Sequence, residues 1–361
     1  MKKNQIAACY LLVFFIWSIT VIAKYKYNGL ILGLDYGLYH PDGTLYTMRA
    51  LDWAGYNEQQ AASIVSNWYN AHAFKFNDNQ PSNFFYTNNP KWSEYYPRVL
   101  YPFLSIPFVK IFGVPGMLVI PAMSLLIVML VILYVGIKKN QIVFASLLIF
   151  LISGSITVNR WMMANTTDAL FVGLFSLTIY FLLNLSNKFN WFFGIGNLII
   201  LTGLTRMSFL FWVAVAIVMF VEKRFFKSFY ILLMGFIMFI PALLSNSKNS
   251  FLPVEGNQTL GERILLLPKY FLKITYYESA QLFVLDRLLF FIIVGAISAA
   301  FIWKKESHNK YYIVLLLAGL TTGTLNGTVG VNFRYQLPIV AFACWSIIEN
   351  FSLRSKNFHK N

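Results

Sequence analysis

The chain has 361 residues, with 29 Lys and Arg against 14 Asp and Glu, a net charge of +15. It is 58% hydrophobic and 18% aromatic but only 12% charged, where a soluble globular chain carries about 25% charged residues. That deficit excludes an ordinary soluble domain and points to an all-α polytopic membrane protein. The positive charge does not argue for a nucleic-acid partner, because it sorts by loop instead of forming one patch. Cys9 and Cys344 stand in apolar segments near opposite ends of the chain. They read as small core residues, so neither a disulfide frame nor a metal site is indicated, and no cofactor is expected.

Taken in order, a short basic start leads into an apolar run at 6–23. Val21-Ile22-Ala23 is like a signal-peptidase site, but the run reads as a retained anchor. Residues 24–98 then form a large first extracytoplasmic loop with six basic and six acidic residues. Within it the turn signal Pro41-Asp42-Gly43 opens into a helical pattern. A helix starting near Gly43 places Asp42, Tyr46, Arg49 and Trp53 on one face. A carboxylate, a phenol, a guanidinium and an indole in one line suit a polar ligand better than lipid. Two roles are open for Asp42: a cap that accepts a backbone N–H one turn on, or a site residue. A second amphipathic helix is predicted at 58–73, with Ala61, Ile64, Val65, Trp68 and His72 as its apolar stripe, lying on the membrane interface.

The apolar stretch 95–136 is broken by Pro97, Pro102, Pro107, Pro115 and Pro121, which predicts bent or discontinuous helices. Only one net crossing fits there, so 99–113 is read as re-entrant or interfacial. Apolar segments follow at 142–158 and 167–185, with Asn159-Arg160-Trp161 between them and Asp168 near the start of the second. The run 191–221 is long for one span of about 20 residues and reads as two short helices meeting at Arg206. A span at 229–244, a second polar extracytoplasmic loop at 245–287, and spans at 288–303, 311–325 and 337–348 complete the chain. The total is about nine or ten spans in a single integral membrane domain, 1–361, with no internal repeat.

Charge sets the sidedness. The N-terminus and segments 138–141, 186–190, 222–227, 304–310 and 353–361 hold fourteen Lys and Arg against two acids. The two long loops hold eleven basic against ten acidic residues. Basic excess marks the cytoplasmic side, so both loops face outside. Arg98, Arg160, Arg206 and Arg334 then sit at outer ends of apolar segments. Ionisable groups at membrane depth are costly and usually functional, and arginine grips phosphate with two parallel N–H bonds. The bland alternative is a snorkelling or ion-paired arginine; Arg160 and Asp168, eight residues apart, could form such a pair. Tyr335-Gln336-Leu337-Pro338 extends the Arg334 site.

The layout resembles the GT-C family of membrane glycosyltransferases, which includes the protein mannosyltransferases and aminoarabinose transferases. The residues that carry the resemblance are Asp42-Gly43 followed by Tyr46 and Ala50, the YYPRVLYPFLSIPFVKIFG stretch from 95 to 113, NRWMMANTTDAL from 159 to 170, GLTR from 203 to 206 and FRYQLP from 333 to 338. The resemblance implies a GT-C-like helical bundle in the inner (plasma) membrane of a bacterial cell, with its site facing outside. It implies a polyprenyl-phosphate-linked sugar as donor and a glycan, lipid or protein as acceptor, with membrane lipid around both. Asp42, with Asp35 as the alternative, takes the place of the general base. Tyr46, Arg49, Arg98, Arg160, Asp168, Arg206, Arg334 and Tyr335 line the substrates. Two departures stand out: the chain is short for that family, and its acidic motif is Asp-Gly instead of paired acids. The competing classes are a transporter or flippase of lipid-linked saccharide and an O-antigen polymerase or ligase. A flippase calls for charges near the bilayer midplane and repeated halves, and neither is clear.

Overall fold

The computed structural model describes residues 3–26, 42–72, 98–184, 194–196, 198–201, 209–244, 260–302, 311, 313–315, 318 and 337–358. Every regular element among them is helical. The helices are α1 (Lys3–Lys26), α2 (Gly43–Trp53), α3 (Glu58–His72), α4 (Leu100–Phe112), a 3₁₀ helix (Val114–Leu118), α5 (Val119–Lys138), α6 (Ile142–Ser153), α7 (Ile156–Met162), α8 (Thr167–Asn184), α9 (Phe209–Val221), α10 (Phe225–Leu244), α11 (Leu260–Leu285), α12 (Arg287–Ile302) and α13 (Ile339–Phe358).

The organising helix is α5, which packs along α8, α6, α1 and α13. Its buried line includes Leu125, Met129, Ile132 and Leu133, each fully enclosed. Polar pins fix α1 beside it: Trp17 Nε1 donates to the Ala122 carbonyl at 2.7 Å and the Tyr25 hydroxyl to the Pro115 carbonyl at 3.1 Å. Only 6% of the apolar window of α1 is buried, and Leu11, Phe15 and Ile22 are exposed, as suits a helix whose outer side meets lipid. On the other flank an aromatic stack joins Phe175 of α8 to Phe211 and Trp212 of α9 and Phe342 of α13, with centroid separations of 4.9 to 5.7 Å.

Two ends of the bundle can be told apart. At one, Tyr25 reaches the 3₁₀ helix, and the charges of Lys24 and Arg160 lie close enough to interact. At the other, Lys139 pairs with Glu349 at 2.9 Å and Phe144 packs on Phe351 with centroids 4.5 Å apart. Lys138 sits over the rings of Tyr134 and Tyr180, 5.2 and 5.5 Å from their centroids. The α9–α10 corner carries Glu222, which accepts from the Tyr311 hydroxyl at 2.8 Å and pairs with Arg224 at 3.4 Å. Basic segments 138–141 and 222–227 thus meet α13 and residue 311 respectively, positions that charge sorting sets on or beside one side.

Several sequence expectations change. Among the described residues, two helices are long and apolar enough to cross a membrane, Asn4–Lys26 and Val114–Lys138, and not nine or ten. A third appears only if α6 and α7 count as one span across their 74° bend. Of the further apolar helices, α4, α9 and α12 have 13, 13 and 16 residues, short of the roughly 20 that a bilayer needs, while α8, α10 and α13 run to 18, 20 and 20. The segment 142–158 breaks at Gly154-Ser155, where the Ser155 side chain caps α7 by accepting from Val158 N. The second polar loop, 245–287, is not loop throughout. It contains the 26-residue α11, because lysines and tyrosines interleaved with leucines raise local polarity without breaking helical hydrogen bonding. Segment 99–113 forms α4, which packs on α2 and the 3₁₀ helix and leaves Phe103, Ile111 and Phe112 exposed. Gly113, at φ 66°, makes the sharp turn out of it, a backbone geometry that favours glycine. The break expected at 203–206 lies outside the described residues.

Candidate functional site

The site is built where α2 and α3 press onto the start of α8. Gly43 opens α2 in close approach to Asn165: a Cβ there would fall on the Asn165 carboxamide and require it to shift. Asp42, just before it, has helical backbone angles, φ −61° and ψ −26°, and its side chain makes no capping hydrogen bond. The cap role therefore finds no bond to carry it. One turn on, Thr47 Oγ1 donates to the Gly43 carbonyl at 2.7 Å.

Tyr46 is the hub. It is 1% exposed, and its hydroxyl accepts from Arg98 Nη1 at 3.0 Å and lies 3.4 Å from Thr167 Oγ1. Its ring meets Tyr101 edge-on, centroids 5.5 Å apart at 79°, and Tyr101 is pinned by donation to the Met117 carbonyl at 2.7 Å. Tyr69, from α3, is also fully buried. Its hydroxyl accepts from Asn165 Nδ2 and is also hydrogen-bonded to Thr47. Asn165, Thr166, Thr167 and Asp168 are each at most 1% exposed. Four consecutive buried polar residues are costly unless their groups are bonded, and α2 and α3 supply partners for Asn165 and Thr167.

Electrostatics follow from this burial. Enclosure pushes the Tyr46 hydroxyl above its usual range; the Arg98 charge, then the Thr167 and Arg98 hydrogen bonds, pull it down, and the Asp42 charge pushes it up. Tyr69 is likewise raised by burial, with Thr47 and Asn165 pulling down and Asp42 again pushing up. Both phenols stay protonated at neutral pH, and the Asp42 carboxylate stands near enough for both to feel its charge.

The expected residues divide as follows. Asp42, Tyr46 and Arg98 are brought together beside Thr167, with Asp168 in the next position of α8. Arg49 is 8% exposed and runs outward along α2, its Cζ 4.6 Å from the centroid of the Trp53 ring. The shared face thus grades from the buried Tyr46 to the exposed Trp53. Arg160 lies at the end of α7, its Cζ 5.0 Å from the Trp161 ring centroid, toward Lys24. Asp35, Arg206, Arg334 and Tyr335 fall outside the described residues. Of the expected stripe of α3, Ala61 and Val65 are buried and Ile64 and Trp68 pack partly against the core, with Ala62, Ser66 and Tyr69 also buried; Trp68 and His72 stack on each other, centroids 3.9 Å apart, with His72 exposed. The buried face extends to Tyr69, whose hydroxyl accepts from Asn165 Nδ2. Tyr69, Asn165 and Thr167 are site residues that the sequence reading passed over. The signal for two of them was available: a run of four polar residues, Asn165 to Asp168, between Met162-Met163-Ala164 and Ala169-Leu170.

Among the described residues no group of three or more His, Cys, Asp or Glu side chains could hold a metal ion. What the arrangement offers is a carboxylate able to take a proton, a guanidinium able to hold an anion, and a neutral phenol that holds the guanidinium. No protein-family model, curated protein or solved structure matches this chain.

Proposed function

We propose that the chain is a membrane glycosyltransferase of the GT-C kind, moving a sugar from a polyprenyl-phosphate-linked donor to an acceptor hydroxyl at the outer membrane face. In this reading the shorter apolar helices and the undescribed segments complete a bundle of about nine or ten spans, with both long loops outside. The observation that carries the reading is the Asp42–Tyr46–Arg98 cluster, built at one end of an apolar helix bundle from the first polar loop and the buried Asn165–Asp168 segment.

The chemistry balances with those groups. Asp42 accepts the proton of the acceptor hydroxyl as its oxygen bonds to the anomeric carbon. The bond from that carbon to the phosphate oxygen breaks, and the leaving phosphate gains negative charge. Arg98, with Arg160, Arg206 and Arg334 as further candidates, offsets that charge. Tyr46 holds the Arg98 guanidinium by a hydrogen bond and, being kept protonated, does not compete for the proton. Attack opposite the leaving phosphate inverts the anomeric centre.

The test is the intact protein in lipid nanodiscs, given a panel of polyprenyl-phosphate hexoses and aminosugars, with release of polyprenyl phosphate as readout. General-base assistance is worth about 10² to 10⁴ in rate, so Asp42→Asn should lose that much while still binding donor. A cap role alone predicts a mild effect, since Asn caps about as well as Asp. Loss in Asp35→Asn with Asp42→Asn active moves the base to Asp35; activity retained in both removes the reading.

A further inference from the structure

We infer that α11 is a lipid-headgroup sensor: a helix seated in the bilayer surface whose exposed lysines bind anionic phospholipid. The inference rests on the chain being membrane-embedded but not on its being an enzyme. At 26 residues α11 is about 39 Å long, more than the roughly 30 Å of a hydrocarbon core. Yet its sequence carries Glu262, Arg263, Lys269, Lys273 and Glu278, too many charges for a helix buried in hydrocarbon. A long helix that cannot cross, joined at its end to the apolar α12, has the interface left to it.

The exposed residues name the occupant. Lys269, Leu272, Lys273 and Tyr276 stand one turn apart on one face, all exposed. Leu272 and Tyr276 expose 69% and 70% of their surface. Such large apolar side chains beside lysines fit neither open water nor hydrocarbon, but they fit the boundary, where stems and rings enter the acyl region and ammonium groups meet phosphate. Toward the C-terminal end the same face turns apolar, with Val284 68% exposed. Of the two acids of α11, Glu262 falls on the same side of the helical wheel as the lysines and Glu278 on the opposite side, so the face carries Lys269 and Lys273 against one acid. The charge on the exposed face is therefore positive, and its complement is an anionic headgroup.

The C-terminal end is fastened to the bundle at the start of α7, the helix that precedes the Asn165–Asp168 segment. Leu282 is buried, and Phe283 meets Phe290 of α12 edge-on with centroids 5.3 Å apart. Asp286, in the junction, binds the start of α7 through Ser155 and Thr157. A tilt of α11 on changing lipid charge would thus be felt at α7, which carries Arg160.

The experiment uses the full chain with Cys9→Ser and Cys344→Ser, single spin labels at Tyr276→Cys and, as a bilayer reference, at the exposed α6 residue Phe150→Cys, in nanodiscs of zwitterionic lipid alone or with phosphatidylglycerol. Accessibility to oxygen against a water-soluble nickel complex reports depth. Residue 276 should lie at the headgroup boundary and move deeper with anionic lipid, and Lys269→Glu with Lys273→Glu should abolish that response. Retention of anionic lipid in native mass spectrometry should fall about fivefold per lysine removed. If residue 150 reads lipid while residue 276 reads water in both bilayers, the inference fails though the membrane reading stands. Equal depth in both lipids, unchanged by the charge reversals, overturns it as well.

Discussion

At the residue scale, Gly43 is the tightest constraint in the site. Its missing Cβ is what lets α2 approach Asn165, and overpacking a filled site costs about 1–3 kcal/mol. Gly43→Ala should therefore lower the thermal unfolding midpoint in detergent, and adding Asn165→Ala should restore most of the loss. If Gly43→Ala alone is neutral, the close approach of α2 and α8 is not as described. The buried phenols make a second prediction. Tyr46 and Tyr69 hold their protons more tightly folded than unfolded, so the unfolded chain loses them first as pH rises. Their contribution is complete below the unfolded value of about 10 and is lost as pH climbs through the raised folded values. The midpoint should fall above about pH 10, and less steeply in a Tyr46→Phe, Tyr69→Phe double variant; identical profiles would remove the argument. The sequence made Tyr46 legible because it shares the Asp42 line. It hid Tyr69, because hydrophobic periodicity counts Trp68 as the better core residue and cannot see a hydrogen-bond partner 96 positions away.

At the element scale, the joint between α7 and α12 depends on one carboxylate. Asp286 Oδ2 accepts from Ser155 Oγ at 2.5 Å and from Thr157 N at 2.9 Å, and Oδ1 accepts from Leu289 N at 3.2 Å. It is 5% exposed. Hydrogen bonds to a charged group are worth about 1.5–3 kcal/mol each, and a buried donor left unmet costs about 1–3 kcal/mol. Asp286→Ala strands all three donors and should cost roughly 3 kcal/mol or more, with faster amide exchange in α7 and in the first turn of α12. Asp286→Asn keeps one acceptor oxygen and should cost about half as much. Equal, small effects of both would show that the joint is held by packing instead. Asp286 stands between the apolar runs Leu282–Leu285 and Leu288–Phe290, but the stretch to 287 reads as loop, and a lone acid there carries no sign of its partners on α7. For the same reason α11 went unread: its charges looked like loop composition, whereas the helix at 58–73, with fewer aromatics and a plain start signal, was found to within a residue of its observed end. That start is a reciprocal cap, Gln60 N donating to Asn57 Oδ1 at 2.8 Å and Asn57 N to Gln60 Oε1 at 3.1 Å, a pattern of the capping-box kind.

At the scale of the whole molecule, the helical class was plain from composition, while the number of spans was not. Prolines, glycines and polar corners divide the apolar runs, so several come out as helices shorter than a bilayer. Sidedness is a separate question, and it rests on charge. Basic segments 138–141 and 222–227 hold cations that engage α13 and the Glu222–Tyr311 corner, while α2, α3 and α4 gather with the 3₁₀ helix where α1 ends. If the basic end is cytoplasmic, Tyr56, in the exposed corner between α2 and α3, faces outside, and Asn140, in the α5–α6 corner at φ 53°, faces inside. Single cysteines at these positions, in a chain lacking Cys9 and Cys344, should separate cleanly with a membrane-impermeant maleimide on intact cells: Tyr56→Cys labelled at once, Asn140→Cys only after permeabilisation. The reverse pattern would invert the bundle and turn the Asp42 cluster toward the cytoplasm, away from any donor delivered outside. Labelling of both before permeabilisation would place the two corners on one side and remove α5 as the single crossing between them.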